Sequence, residues 1–242
     1  MALGSQPRWT VRPAVGAAQA DIDVGLREYM LRIYNYMASG LALTGIVAYV
    51  FAQSGMYAQV AATPLIWLLM LAPLGFVLVM SFGINRMTAS TAQLLFWAFA
   101  GVMGLSLASI FLVFTGASIA RVFFITAGTF AAMSLYGYTT KRDLTQFGSF
   151  LMMGLIGIII ASIVNIFIAS SALQFAISVI GVIVFVGLTA YDTQNIKQQY
   201  YELQYADGQT AGKAAIMGAL RLYLDFINLF MMLLQLLGVR RD

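Results

Sequence analysis

The chain has 242 residues, 61% of them hydrophobic and 9% charged, with a formal net charge of +4 and a mean hydropathy of +0.87. A water-soluble domain carries about a quarter charged and roughly half apolar residues, so lipid must be the solvent for most of this chain. It contains neither Cys nor His, which removes disulfides, thiolate and imidazole metal sites, and the Ser–His and Cys–His catalytic arrangements. No enzyme activity and no cofactor are therefore expected. The partner that composition requires is the bilayer; the basic residues stand at span mouths, as topology signals do, and do not point to nucleic acid.

In chain order, the first 20 residues are polar or small, with Pro7 and Pro13 and no apolar run, so they do not read as a cleavable signal peptide. Residues 1–30 are expected to be a flexible cytoplasmic tail, and 31–242 a membrane domain. Seven apolar stretches follow, at 33–51, 64–83, 91–114, 119–138, 147–169, 172–192 and 216–239. Each is long enough to cross a hydrocarbon core of about 30 Å as a helix. The fold class expected is thus an all-α integral membrane protein of seven spans. The one long hydrophilic interruption is KQQYYELQYADGQTAGK at 197–213. Small residues at helical spacing, Gly40 with Gly45, Gly101 with Gly104 and Gly154 with Gly157, suit close helix approach in lipid.

Lys and Arg set the orientation. Arg8, Arg12, Arg27 and Arg32 precede or open span one, Arg86 follows span two, Lys141 and Arg142 follow span four, and Lys197, Lys213 and Arg221 flank the sixth connection. The first and fifth connections have none, and the third has Arg121 alone. This places the N-terminus in the cytoplasm of a multi-pass protein of the cell's inner membrane. Seven full spans then put Arg240 and Arg241 outside, against the same rule. Either span seven turns back as a re-entrant segment, or two charges lose to ten.

Nine residues are acidic, and seven of them lie in the tail, in connections or at the end. The other two are Asp192, at the end of span six, and Asp225, inside span seven. A carboxylate at mid-membrane depth costs about 2.5–3.5 kcal/mol or more, so a proton, a cation, an Arg or a water-filled cavity must offset it. Spans six and seven are consecutive and antiparallel, which can bring the two acids together. Two carboxyls in a low-dielectric site do not both ionise easily and would share a proton, a basis for pH sensing without histidine. The pair is also the candidate cation contact. A structural reading competes: Arg221, one turn before Asp225, neutralises it as an i,i+4 pair, and Asn228, Tyr191 or Tyr223 hydrogen-bonds it. Asn165 in span five reads as an interhelical hydrogen bond.

The run LYLDFINLF at 222–230, followed by LLQLLG at 233–238, resembles the C-terminal signature of the transmembrane Bax inhibitor motif family. The run AYDTQNIK at 190–197 resembles the acid at the end of that family's sixth helix. The resemblance covers the chain from about residue 30 to its end. It implies a central seventh helix enclosed by the other six and a pH-sensitive calcium leak. The sensor would be Asp192 with Asp225, and Arg86 in FGINRMT would serve as a latch. The acid that calcium-conducting relatives carry within the second helix has no counterpart between residues 65 and 83. Other bacterial relatives restrain a membrane AAA-type protease, which gives an alternative of a different class: a binding regulator that transports nothing.

Overall fold

The computed structural model describes the backbone of residues 14–203 and 206–241, and side chains from residue 24 onward within those stretches. Among the described residues nine α-helices follow one another: α1 (Ala14–Gln53), α2 (Met56–Ala61), α3 (Leu65–Gly83), α4 (Ala89–Leu107), α5 (Ser109–Val113), α6 (Gly116–Thr139), α7 (Thr145–Ile168), α8 (Ser171–Glu202) and α9 (Gly208–Leu237). A 3-10 turn, Ile84–Arg86, extends α3, and α5 continues α4 past a break at Ala108. Seven helical segments are long and apolar enough to cross a membrane. In span order they are α1, α3, α4 with α5, α6, α7, α8 and α9.

Two boundaries differ from the sequence expectation. The expected tail over residues 1–30 is helical from Ala14, and residues 1–13 lie outside the described residues. Leu26, Met30, Ile33 and Met37 are buried; their spacing of four, three and four puts them on one face of α1. Arg27, Glu28 and Arg32 turn outward and hide that stripe from a count of apolar runs. Span six, expected to end at Asp192, instead runs as one helix to Glu202. Its last ten residues, about 15 Å, carry a polar sequence out of the lipid while staying helical.

The helix α9 is the centre of the molecule. More than half of its apolar window (56%) is buried, against 11% for α3. Its principal neighbours are α1, α4, α6 and α8; α3 leans on α4 and α7 on α8 from outside. One knot shows how the inner helices are tied. Tyr223 of α9 is fully buried, and its hydroxyl lies 2.6 Å from Thr44 Oγ1 of α1. That Oγ1 also donates to the Ala100 carbonyl of α4 at 2.8 Å. The Tyr223 ring meets Phe99 edge-on, centroids 5.2 Å apart.

The connections are fastened by side chains. Gln194 accepts from Leu144 N–H at 2.9 Å and donates to the Arg142 carbonyl at 2.7 Å. Lys197 Nζ donates to the Tyr138 carbonyl at 2.7 Å, capping the end of α6. Asp207 opens α9 by accepting from Thr210 N–H at 3.0 Å. The Thr210 hydroxyl and amide hold this exposed carboxyl below its ordinary range.

The conflict over span seven resolves as a full crossing. Unbroken for 30 residues, α9 is about 45 Å long. The chain after it pairs with the α5–α6 connection: Thr115 N–H donates to the Val239 carbonyl at 3.0 Å and Arg241 N–H to the Val113 carbonyl at 2.9 Å. Val239 N–H also donates to Ser118 Oγ at 2.8 Å. The C-terminal residues therefore share a face with the first, third and fifth connections, opposite Lys141, Arg142 and Lys213.

One member of each expected glycine pair sits at a helix crossing (Gly40, Gly104 and Gly154), while Gly45, Gly101 and Gly157 face open space. The closest approach is elsewhere, at Gly137 of α6. A Cβ there would collide with the Ala190 carbonyl oxygen of α8 and lie 2.9 Å from its Cα.

Gly137→Ala should thus destabilise the protein by about 1–3 kcal/mol, the range for overpacking. Gly157→Ala should be neutral or slightly stabilising. Thermal unfolding of the two purified variants checks the contrast. The cysteine-free chain also permits single-Cys labelling with an impermeant maleimide. Ala58→Cys and Arg241→Cys should react from one side of the membrane, and Lys141→Cys from the other.

Candidate functional site

The two intramembrane acids meet. Asp192 projects from α8, ten residues before its end, and Asp225 from α9; the two carboxyls lie within hydrogen-bonding reach. Asp225 is buried at 5% exposure, and its Oδ2 has no hydrogen-bond partner. Asp192 is half-buried. Both helices run straight through the acids, and small residues beside them let neighbouring helices close up: Gly187 meets Leu151 of α7, Ala190 meets Gly137 of α6, and Gly218 meets Ile33 of α1 and Ile196 of α8. Gly187, Ala190 and Thr189 are buried on α8, as are Gly218 and Ala219 on α9.

Each partner that the structural reading offers to Asp225 is engaged elsewhere. Asn228 Nδ2 donates to its own helix, at the Leu224 carbonyl, at 2.8 Å. The Tyr223 hydroxyl is in the Thr44 knot. The Tyr191 ring lies on Gly148 of α7, where there is no room for a Cβ. Arg221 Nη1 donates to Asn195 Oδ1 of α8 at 3.0 Å. The guanidinium is nonetheless near enough for its charge to act on Asp192, Asp225 and Tyr29. Arg221 thus stands beside the pair as a counter-charge without satisfying the bare Oδ2.

The other two candidates are not gathered here. Arg86 is exposed at the end of the 3-10 turn and is not among the charges that reach either carboxyl. Asn165 is at the α7–α8 turn on the opposite face. It donates to Gln174 Oε1 at 3.1 Å and accepts from Ser170 N–H at 3.0 Å; Gln174 in turn donates to Gln235 of α9.

Sequence reasoning missed two members. Asn195 follows Asp192 by three residues, so i,i+3 spacing on α8 could have found it. Tyr29, buried with an unpartnered hydroxyl, was hidden by the assignment of its segment to a tail.

A cavity of about 580 Å³ lies between α3, α8 and α9 on the face of the basic connections; of the cluster it reaches Arg221, and neither acid lines it. Asn85, Gln199, Glu202, Thr210 and Lys213 line it, and Arg221 and Leu224 belong to the same wall. Among the described residues no group of three or more His, Cys, Asp and Glu gathers. Ca²⁺ takes six to eight oxygen ligands, so the pair would contact a Ca²⁺ that keeps water. Two carboxyls so placed can share a proton, or contact a partly hydrated cation, beside the Arg221 guanidinium.

A seven-span helical membrane protein with an acid pair on its last two spans is the class that this fold and site define. Residues 26–242 match the family described as "Inhibitor of apoptosis-promoting Bax1", and the chain belongs to that family. It is 52% identical over 221 residues to an uncharacterised Rickettsia prowazekii protein, RP147, covering 91% of this chain and 93% of that one. It is 50% identical over 219 residues to the inner membrane protein YbhL of Escherichia coli, covering 90% and 94%. A Caulobacter vibrioides protein is 46% identical over 237 residues, 93% and 94% of the two chains.

If the carboxyls interact, Asp192→Asn and Asp225→Asn should not add. A double-mutant cycle on thermal stability should give a coupling of about 0.5–3 kcal/mol, whereas independent sites add within about 0.5 kcal/mol.

Proposed function

We propose that the protein is a proton-gated leak for cations, Ca²⁺ first among them, in a bacterial inner membrane. The observation that carries this reading is the bare Oδ2 of Asp225, buried beside Asp192 and within the field of Arg221. A carboxyl so placed needs a proton or a cation, and either one makes the site responsive. The 50% identity to YbhL, an inner membrane protein by name, supports the location. In this reading the protein is not an enzyme, holds no cofactor, and treats Ca²⁺ as cargo.

With the proton shared between Asp192 and Asp225, the pair carries one negative charge, which Arg221 balances at a distance. Rising pH removes that proton, and the two carboxylates repel each other. Arg221 then leaves Asn195 for the pair and blocks the inner end of the cavity with its own positive charge. The latch role that the resemblance gives to Arg86 enters if the end of α3 moves toward α9. Asn85, its neighbour in the chain, already lines the cavity between them. Falling pH restores the proton, frees the guanidinium and opens the path.

Liposomes carrying the purified protein and an enclosed calcium dye test this. Ca²⁺ entry should rise as pH falls between about 8 and 5, and Asp225→Asn should fold but lose the pH response. Absence of flux across that whole range would overturn the leak. The non-transporting protease regulator would then stand as the reading, to be tested by co-purification with a membrane AAA-type protease.

A further inference from the structure

The helices α1 and α6 both rest on α9, and between them runs a groove of about 560 Å³. Its walls are almost entirely apolar, Phe226 of α9 forms its floor, and Arg27 stands at one end beside Tyr138. From Arg27 to Met37 the groove follows α1 for ten residues; from Tyr138 back to Ala127 it follows α6 for eleven. At 1.5 Å per residue these are about 15 and 16 Å, half of a hydrocarbon core of about 30 Å. The groove therefore has the length of one leaflet, with a guanidinium at its headgroup end.

Walls of this kind are not filled by water. Both helices that form them are membrane spans, so what enters is a lipid chain. Charge selects which lipid. Arg27 is the ionised side chain lining the groove. Lys197, nearby, is held by the carbonyl of Tyr138 and lies over its ring, 5.2 Å from the centroid. Glu28 turns the other way, lining a separate depression with Arg32 and Trp97. A headgroup of net negative charge satisfies the mouth, whereas a zwitterionic one brings its own cation to Arg27.

We infer that the α1–α6 groove binds one anionic phospholipid from the leaflet on the side of the basic connections. Its phosphate rests on Arg27, and one acyl chain lies along Tyr34 and Ala131 to Phe226. The bound chain covers an aromatic pair that α9 depends on, since the Phe226 and Phe130 centroids are 5.5 Å apart. Phe226 is also the residue after Asp225, so the lipid touches the helix turn that carries the buried acid.

The full chain, reconstituted in vesicles of equal phosphatidylglycerol and phosphatidylcholine and extracted gently, can be weighed by native mass spectrometry. One retained lipid is expected, phosphatidylglycerol over phosphatidylcholine by about fivefold, the factor that one surface Arg is worth against anionic lipid. Arg27→Gln should abolish the preference. Arg32→Gln, on the α4 side of the same helix, should keep it. Ala131→Trp, which fills the groove from an exposed position, should retain neither lipid. Equal retention by the parent, a preference that survives Arg27→Gln, equal losses in the two Arg variants, or unchanged retention in Ala131→Trp would each overturn the inference.

Discussion

The architecture hangs on the need to surround α9. In lipid, helix burial gains little from apolar contact alone, because a Leu against lipid is nearly as well off as a Leu against Leu. A helix carrying a carboxyl is different, because that carboxyl must be removed from hydrocarbon. Asp225 is buried inside the bundle, and four helices close around the segment that carries it. Their crossings are made by small residues, Gly137 on Ala190 most tightly. The outer helices α3 and α7 have no such obligation and present long apolar faces to the bilayer.

Within that bundle the polar groups mark where helices cross. The Thr44–Tyr223 contact, the Gln194 tether and the Ser118 bond to Val239 each join segments distant in sequence. Such bonds average about 0.6 kcal/mol in membranes, so they select a register more than they hold the bundle together. Against this background of satisfied groups, two buried side-chain atoms among the described residues lack partners: Tyr29 Oη and Asp225 Oδ2. Both lie within the field of one cation, Arg221. In a fold that satisfies its polar atoms elsewhere, these two gaps single out the surroundings of Arg221.

Hydropathy made the seven spans and the anomaly of Asp225 plain, because a charge in an apolar run stands out without any structure. It could not reveal that α8 continues to Glu202, because the QQYYE stretch after Lys197 is polar and reads as a loop. What keeps it helical is tertiary: Ile196 is fully buried and Lys197 caps α6. The stripe Leu26–Met30–Ile33–Met37 was legible by period but not by composition, since three charges interleave it. Arg86 stands outside the cluster for another reason. Standing at the end of span two fixes its depth in the membrane, and depth says nothing about which way the side chain turns. The side of the C-terminus was decided by backbone pairing with residues 113–115, a contact no charge count contains.

The cluster has a simple charge logic. Asp192, Asp225 and Arg221 sum to one negative charge when both acids are ionised, to zero with one proton, and to one positive charge with two. In a medium of low dielectric the neutral state is favoured over either charged one. One vacancy therefore exists for a single positive charge, and a proton or a passing cation can take it. A cation that reached the pair would compete with the proton for the same oxygens. A divalent ion would overshoot neutrality while Arg221, bonded to Asn195 at 3.0 Å, keeps its charge beside the pair.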